Sequence, residues 1–215
     1  MLRTDIFMLE NIISLSSDYF LRYGIRNVSM DDIAQALGIS KKTLYLHVDN
    51  KETLVHMVAE KFMCEDEQFA LKIKAQNLNA IDEMLQIAEN VYLKLKNINV
   101  ASLYDLHKYY PQVWNMFEQH RHSFIAAIIQ ENLSKGIAEG LYRQNLPPKI
   151  YTHFYLTLAG SITDMKKGTC EKCKPAELFM EFFKYHILGI SSDKGIQYLK
   201  KNLDKIKAIT HETIV

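Results

Sequence analysis

Three helix starts follow one another between Arg26 and Leu54 (RNVSMDDIAQALGISKKTLYLHVDNKETL), and no other stretch limits the fold so tightly. Ser29 with Asp32 three residues on has the S-x-x-D form of a capping box, in which each residue satisfies an orphan N–H of the other. Val28 and Ile33 stand at the spacing of a hydrophobic staple around that cap. Ser40 repeats the pattern, with Ile39 and Leu44 in the staple positions, and Asn50 caps a third helix opening Lys51-Glu52-Thr53-Leu54. Between the first two helices lies Leu37-Gly38-Ile39, where glycine can take the positive φ that ends a helix and turns the chain. Two short helices joined by such a turn form a helix-turn-helix, whose second helix can enter a DNA major groove.

The faces of the second helix agree with this. Leu44 and Val48 are four apart and are expected to face inward. Lys41, Lys42, Thr43, Tyr45, Leu46 and His47 are left largely outside, and their ammonium, hydroxyl, phenol and imidazole groups suit phosphate and base-edge contact. A solvated surface helix is the plain alternative, and the two tandem caps with their glycine turn weigh against it.

Gly24-Ile25, Val28-Ser29-Met30, Ile33-Ala34, Leu37-Gly38-Ile39-Ser40, Thr43-Leu44-Tyr45, His47-Val48 and Asn50-Lys51-Glu52 together resemble the N-terminal domain of the tetracycline-repressor (TetR) family. The stretch from Thr43 to Lys51 is similar to that family's recognition helix and the turn after it. The resemblance in detail covers about the first quarter of the chain, and beyond it lies in helix order and length. It implies an all-α protein: a three-helix DNA-binding domain over residues 1–49 and a helical ligand-binding and dimerisation domain over 50–215. It further implies a homodimer on a near-palindromic operator, repression by steric blocking, and release by a small effector whose chemistry the sequence leaves open. Ser29, Lys41, Lys42, Thr43, Tyr45, Leu46, His47 and Lys51 are the expected contacts to double-stranded DNA, Lys51 meeting a phosphate at the start of the fourth helix. Asp49 departs from the family's basic or neutral residue and weakens phosphate attraction there; Ser16 replaces the usual alanine in the first helix.

Charge alone does not point to nucleic acid. The chain of 215 residues carries a formal charge of +1, and the six cations of residues 1–51 are balanced by six anions. Any basic patch must therefore be local, with Lys41, Lys42 and Lys51 as its members. Asp5 and Glu10 interrupt the first apolar residues, no run approaches a membrane span, and three cysteines do not suit a disulfide-built secreted fold. A cytoplasmic protein with no membrane partner is expected.

Helical spacing marks the remaining elements. A first helix covers about 5–22 and stops at Gly24; the fourth runs to about residue 75, with Cys64 expected in its core face. Further helices are expected at 79–96 and 101–110, then from Pro111 towards Gly140, where Gly140, Asn145 and Pro147-Pro148 break the pattern. Two more, at 149–167 and 175–189, are apolar on more than one side, through Ile150, Phe154, Leu158, Phe179, Phe182 and Phe183 among others. They are the expected homodimer surface (149–189), as in the family. The tail from Ser191, with Ile196, Leu199, Leu203 and Ile206, is expected to dock on the body.

Tyr92, Tyr104, His107, Tyr110, Trp114 and Phe117 are candidates to line an effector pocket, against the plain alternative that aromatics at helical spacing are core. Cys170-x-x-Cys173, flanked by lysines that favour thiolates, allows a thiol- or metal-responsive alternative, although no second ligand pair completes a zinc set. A helical adaptor that binds protein is a further alternative. No catalytic motif of the hydrolase, Walker or dinucleotide type is present, so no catalytic residue, metal or cofactor is expected.

Overall fold

The computed structural model describes residues 2–163 and 174–202, and every named element among them is helical. The order is α1 (Leu2–Tyr23), α2 (Met30–Ala36), α3 (Lys41–Tyr45), α4 (Lys51–Ala75), α5 (Ala80–Lys96), α6 (Val100–Tyr109) and α7 (Pro111–His120). A π-helical turn (Arg121–Ile125) then leads into α8 (Ala126–Ala138), followed by α9 (Pro148–Thr163), α10 (Pro175–Ile190) and α11 (Asp193–Lys201). The long helix expected from Pro111 is thus interrupted by one π turn, which helical spacing alone does not reveal.

The chain divides into two compact units. One holds Met1–Asp66 with Asn97–Gln119; the other holds Glu67–Lys96 with the described residues from His120 onward. The boundary expected at residue 50 falls inside the first unit, because Leu54, Val55, Val58 and Ala59 of α4 belong to its core.

The first unit is built on the capping chemistry of its sequence. Ser29 Oγ accepts from Asp32 N at 3.1 Å, and Asp32 Oδ2 accepts from Ser29 N at 2.7 Å. Gly38 closes α2 at φ +66°, a backbone setting that costs an L-residue roughly 1–2 kcal/mol. Ile12, Ile33, Leu44 and Leu54 are fully buried at its centre, with Val28, Val48 and Val113 beside them. Ser16, at 0% exposure, satisfies its hydroxyl on the carbonyl of Ile12 at 2.6 Å. α6 fastens to the C-terminal end of α1, where Ser102 Oγ donates to Phe20 O at 2.5 Å and Asn99 Nδ2 to Arg22 O at 3.1 Å. Cys64, expected in the core, is exposed on α4; it lies two residues past Phe62, which packs against the core, and two residues of helix turn a side chain to the far side.

In the second unit α10 packs on α5 and α9, and α8 on α5 and α9. Ile81, Met84, Ile129, Leu133, Tyr142, Phe183 and Ile187 are among its fully buried side chains. A polar knot sits inside this apolar core. The Tyr142 hydroxyl lies 3.1 Å from Ala80 O and 3.0 Å from Asn132 Oδ1, while Asn132 Nδ2 donates to Ala80 O and to Glu83 Oε2. Lys135 Nζ donates to Glu83 Oε1 at 2.6 Å and to Leu78 O, and Glu139 Oε2 accepts from Ala80 N at 2.8 Å. The knot ties the start of α5 to α8, and its satisfied polar groups carry no unpaired burial cost. Leu199 of α11 is buried with Ile196 and Tyr198 packed against the same core, as expected for a docked tail; Leu203 and Ile206 lie outside the described residues.

His186 of α10 is buried against Tyr155 and Phe182, and burial lowers its pKa to about 4. Between that value and the ordinary one near 6.5, the unfolded chain takes a proton that the folded ring refuses. Stability is therefore whole above about pH 6.5 and falls as the pH drops towards 4, by up to about 3 kcal/mol from this residue. Urea unfolding of the protein and of His186→Gln between pH 7 and 4 checks this: the gap between the two should narrow as the pH falls.

Candidate nucleic-acid interface

α3 begins where Ser40 Oγ accepts from Thr43 N at 3.0 Å, with the Thr43 hydroxyl 2.7 Å from the same oxygen. The helix spans five residues and then tightens: Leu46, His47 and Val48 donate back to Thr43 and Leu44 carbonyls. Leu44 at 0% and Val48 at 2% exposure anchor one side in the core. Lys41, Lys42, Tyr45 and Leu46 are exposed on the other, Leu46 at 76%, and Thr43 and His47 are half-buried between the two faces. A rigid buried side thus presents a cationic, hydroxyl- and ring-bearing outer side, the requirement for reading a groove.

The charges are less open than the residue types suggest. Lys41 pairs with Asp31 of α2 at 2.7 Å, which raises its pKa and offsets its charge. Lys42 is exposed beside it. Lys51 is half-buried at the start of α4, donates to the Arg26 carbonyl at 3.5 Å, and is lowered in pKa chiefly by desolvation. Asn50 Oδ1 caps this helix by accepting from Thr53 N at 2.9 Å. The Ser29 hydroxyl is exposed but engaged with Asp32, whose carboxyl those hydrogen bonds hold below its ordinary pKa.

One support of the interface has no counterpart among the residues expected from sequence. Asp105 of α6, 7% exposed, accepts from Arg26 N at 2.9 Å and thereby fixes the turn that delivers the chain to Ser29. Residues 26 and 105 are 79 apart, and no local pattern announces the pairing.

The six candidate pocket residues fall in both units. Tyr92 packs against the second core, whereas Tyr104, His107, Tyr110, Trp114 and Phe117 all belong to the first unit. There Tyr110 and Phe117 lie against the core, the His107 and Trp114 rings meet edge-on at 4.9 Å, and Tyr104 is exposed. No pocket within either unit holds all six. The second unit contains a cavity of about 300 Å³ walled by Ile73, Ile87 and Ile128, with Asn132 and the Glu83–Lys135 pair also lining it. Lys74 and Glu131, paired at 2.5 Å and both exposed, line it as well. Cys170 and Cys173 lie outside the described residues, and no cluster of three or more metal-ligating side chains occurs among those described. Nor is any helix among them long and apolar enough to cross a membrane.

Residues 12–58 match the sequence model of the bacterial regulatory proteins of the tetR family. The HTH-type transcriptional regulator YvaF of Bacillus subtilis (strain 168) is 25% identical over 171 residues, covering 77% of this chain and 87% of that protein. A transcriptional regulator of Cytophaga hutchinsonii superposes with a TM-score of 0.68 at 19% identity, over 86% of this chain and 99% of its own. A transcriptional regulator of Saccharomonospora viridis, solved in complex with choline, does so with a TM-score of 0.67 at 13% identity, over 86% and 98%. At these identities the two solved structures speak for the fold alone.

Proposed function

We propose that the chain is a DNA-binding transcriptional regulator of the tetR family, a reading supported by the match over residues 12–58 and the likeness to YvaF, and that it acts as a ligand-responsive repressor on a near-palindromic operator. The observation that carries the reading is the two-sided stretch of α3 and the turn after it: Leu44 and Val48 locked in the core, Lys42, Tyr45 and Leu46 standing outside. In this reading Tyr45, Thr43 and His47 contact base edges, Leu46 meets a thymine methyl, and Ser29, Lys41, Lys42 and Lys51 position phosphates. The protein works in the cytoplasm and has no catalytic role.

In this reading two copies pair through the stretch 149–189, of which 164–173 lie outside the described residues. The support is an apolar stripe left exposed on α9, Ile150, Phe154 and Leu158 at i, i+4 and i+8, together with Tyr185 of α10 at 74% exposure. A twofold axis would set two copies of α3 into major grooves roughly 34 Å apart. A small effector bound by the body, for which the cavity beside Asn132 is the built space on hand, biases the spacing of the heads; a coupling of about 1–3 kcal/mol suffices. The aromatic candidates Tyr92, Tyr104, His107, Tyr110, Trp114 and Phe117 remain the alternative effector contacts.

Tyr45→Ala tests the interface. The ring is 42% exposed, so the variant should melt as the parent does while losing about 10-fold or more in affinity for a selected operator and little for random duplex. Equal losses on both duplexes would remove Tyr45 from base reading.

A further inference from the structure

A row of cations and tyrosines leads from the start of α4, across the turn after α1, onto the outer face of α6. It begins at Lys51, whose ammonium reaches the Arg26 carbonyl at 3.5 Å. The Arg26 guanidinium lies 4.5 Å from the centre of the Tyr109 ring and donates from Nη1 to the Tyr109 hydroxyl at 2.9 Å. Lys108 continues the row. Its ammonium is 5.2 Å from the Tyr109 ring and 5.1 Å from that of Tyr104, and it donates to the Tyr104 hydroxyl at 2.8 Å. Arg26, Tyr104, Lys108 and Tyr109 are all exposed.

Packing does not require this arrangement. α6 is already held to the first unit by Ser102, Asn99 and Asp105, whose polar atoms reach the backbone at Phe20, Arg22 and Arg26. Asp105 is the sole carboxylate of α6, and it is turned inward and buried, so the outer face of the helix carries Lys108 with no exposed acid of its own. The tyrosines hold two long cationic side chains in place and so reduce the entropy lost when they meet an anion. A guanidinium has five N–H donors, of which Tyr109 takes one; an ammonium has three. Both keep donors for phosphate oxygens.

We propose that this row is a phosphate track, by which α6 extends the DNA interface outward from Lys51 so that duplex flanking each half-site lies against Arg26 and Lys108. The inference rests on the DNA-binding reading above, and two things favour DNA as the occupant: continuity with the phosphate contact proposed at Lys51, and the exposed Arg26 and Lys108 standing together where α6 offers no exposed acid.

The test uses the intact protein, Lys108→Gln, and Lys42→Gln as a reference at the recognition helix. Binding is measured across salt concentrations on two duplexes, one trimmed to the half-sites and one with a helical turn of flanking sequence at each end. The parent should bind the long duplex more tightly and with a steeper salt dependence. Lys108→Gln should lower the salt slope on the long duplex by about 0.9 per protomer and leave the trimmed duplex unaffected. Lys42→Gln should weaken both. Because Lys108 and its partners Tyr104 and Tyr109 are all exposed, its loss should not unfold the protein, and an unchanged melting curve is the check. If Lys108→Gln binds both duplexes with the parent's affinity and slope, the track is refuted while the DNA-binding reading stands. If the parent binds neither duplex, that reading fails and the track fails with it.

Discussion

Tyr142→Ala should lower the unfolding free energy of the second unit by about 3–5 kcal/mol, the range for removing a buried aromatic side chain. The ring is fully buried and fills the space over Gly136, where any Cβ would collide with it. Its hydroxyl completes the knot with Ala80 O and Asn132 Oδ1, and the same burial, with Glu83 and Glu139 nearby, pushes its pKa well up. Tyr142→Phe separates the two roles: it keeps the ring and should cost only about 1–3 kcal/mol, through the partner left unpaired. Urea unfolding of both variants measures the difference. Equal and small losses would show that the ring's packing carries little of the stability.

Leu44→Ala is the counterpart in the first unit. The side chain is at 0% exposure with Ile33 and Leu54 in the same core, so truncation should cost about 2–5 kcal/mol. It should also abolish operator binding, because Leu44 fixes the orientation of Lys42, Tyr45 and Leu46 beside it. Adjacent positions would then give opposite results: Leu44→Ala loses both stability and binding, whereas Tyr45→Ala loses binding alone. A Leu44→Ala protein that melts and binds like the parent would mean that α3 is not positioned by its buried side.

The head was legible because its signals are local. Ser29, Ser40 and Asn50 each satisfy an N–H three residues on, and Gly38 turns the chain at positive φ, so a few adjacent residues suffice to place three helix starts. The return of α6 and α7 to the first unit was not legible. It depends on Asp105 meeting Arg26 across 79 residues and on Val113 entering a core begun at Ile12, and such contacts leave no periodicity. For the same reason the spacing of the six aromatic candidates does not reveal that Tyr104, His107, Tyr110, Trp114 and Phe117 belong to the first unit and Tyr92 to the second. The pairing of Lys41 with Asp31 is similarly invisible to a count of cations, and it leaves Lys42 the more open of the two. Cys64 was misplaced because helical spacing near the middle of α4 admits more than one face.

Selection of random duplexes by the purified protein decides whether this chain reads DNA as a dimer. A dimeric reader should enrich an inverted repeat whose half-sites lie one helical turn apart or a multiple of it, with Tyr45→Ala losing the preference at specific bases. Selection that enriches no repeat, from protein refolded free of any bound ligand, would contradict that reading.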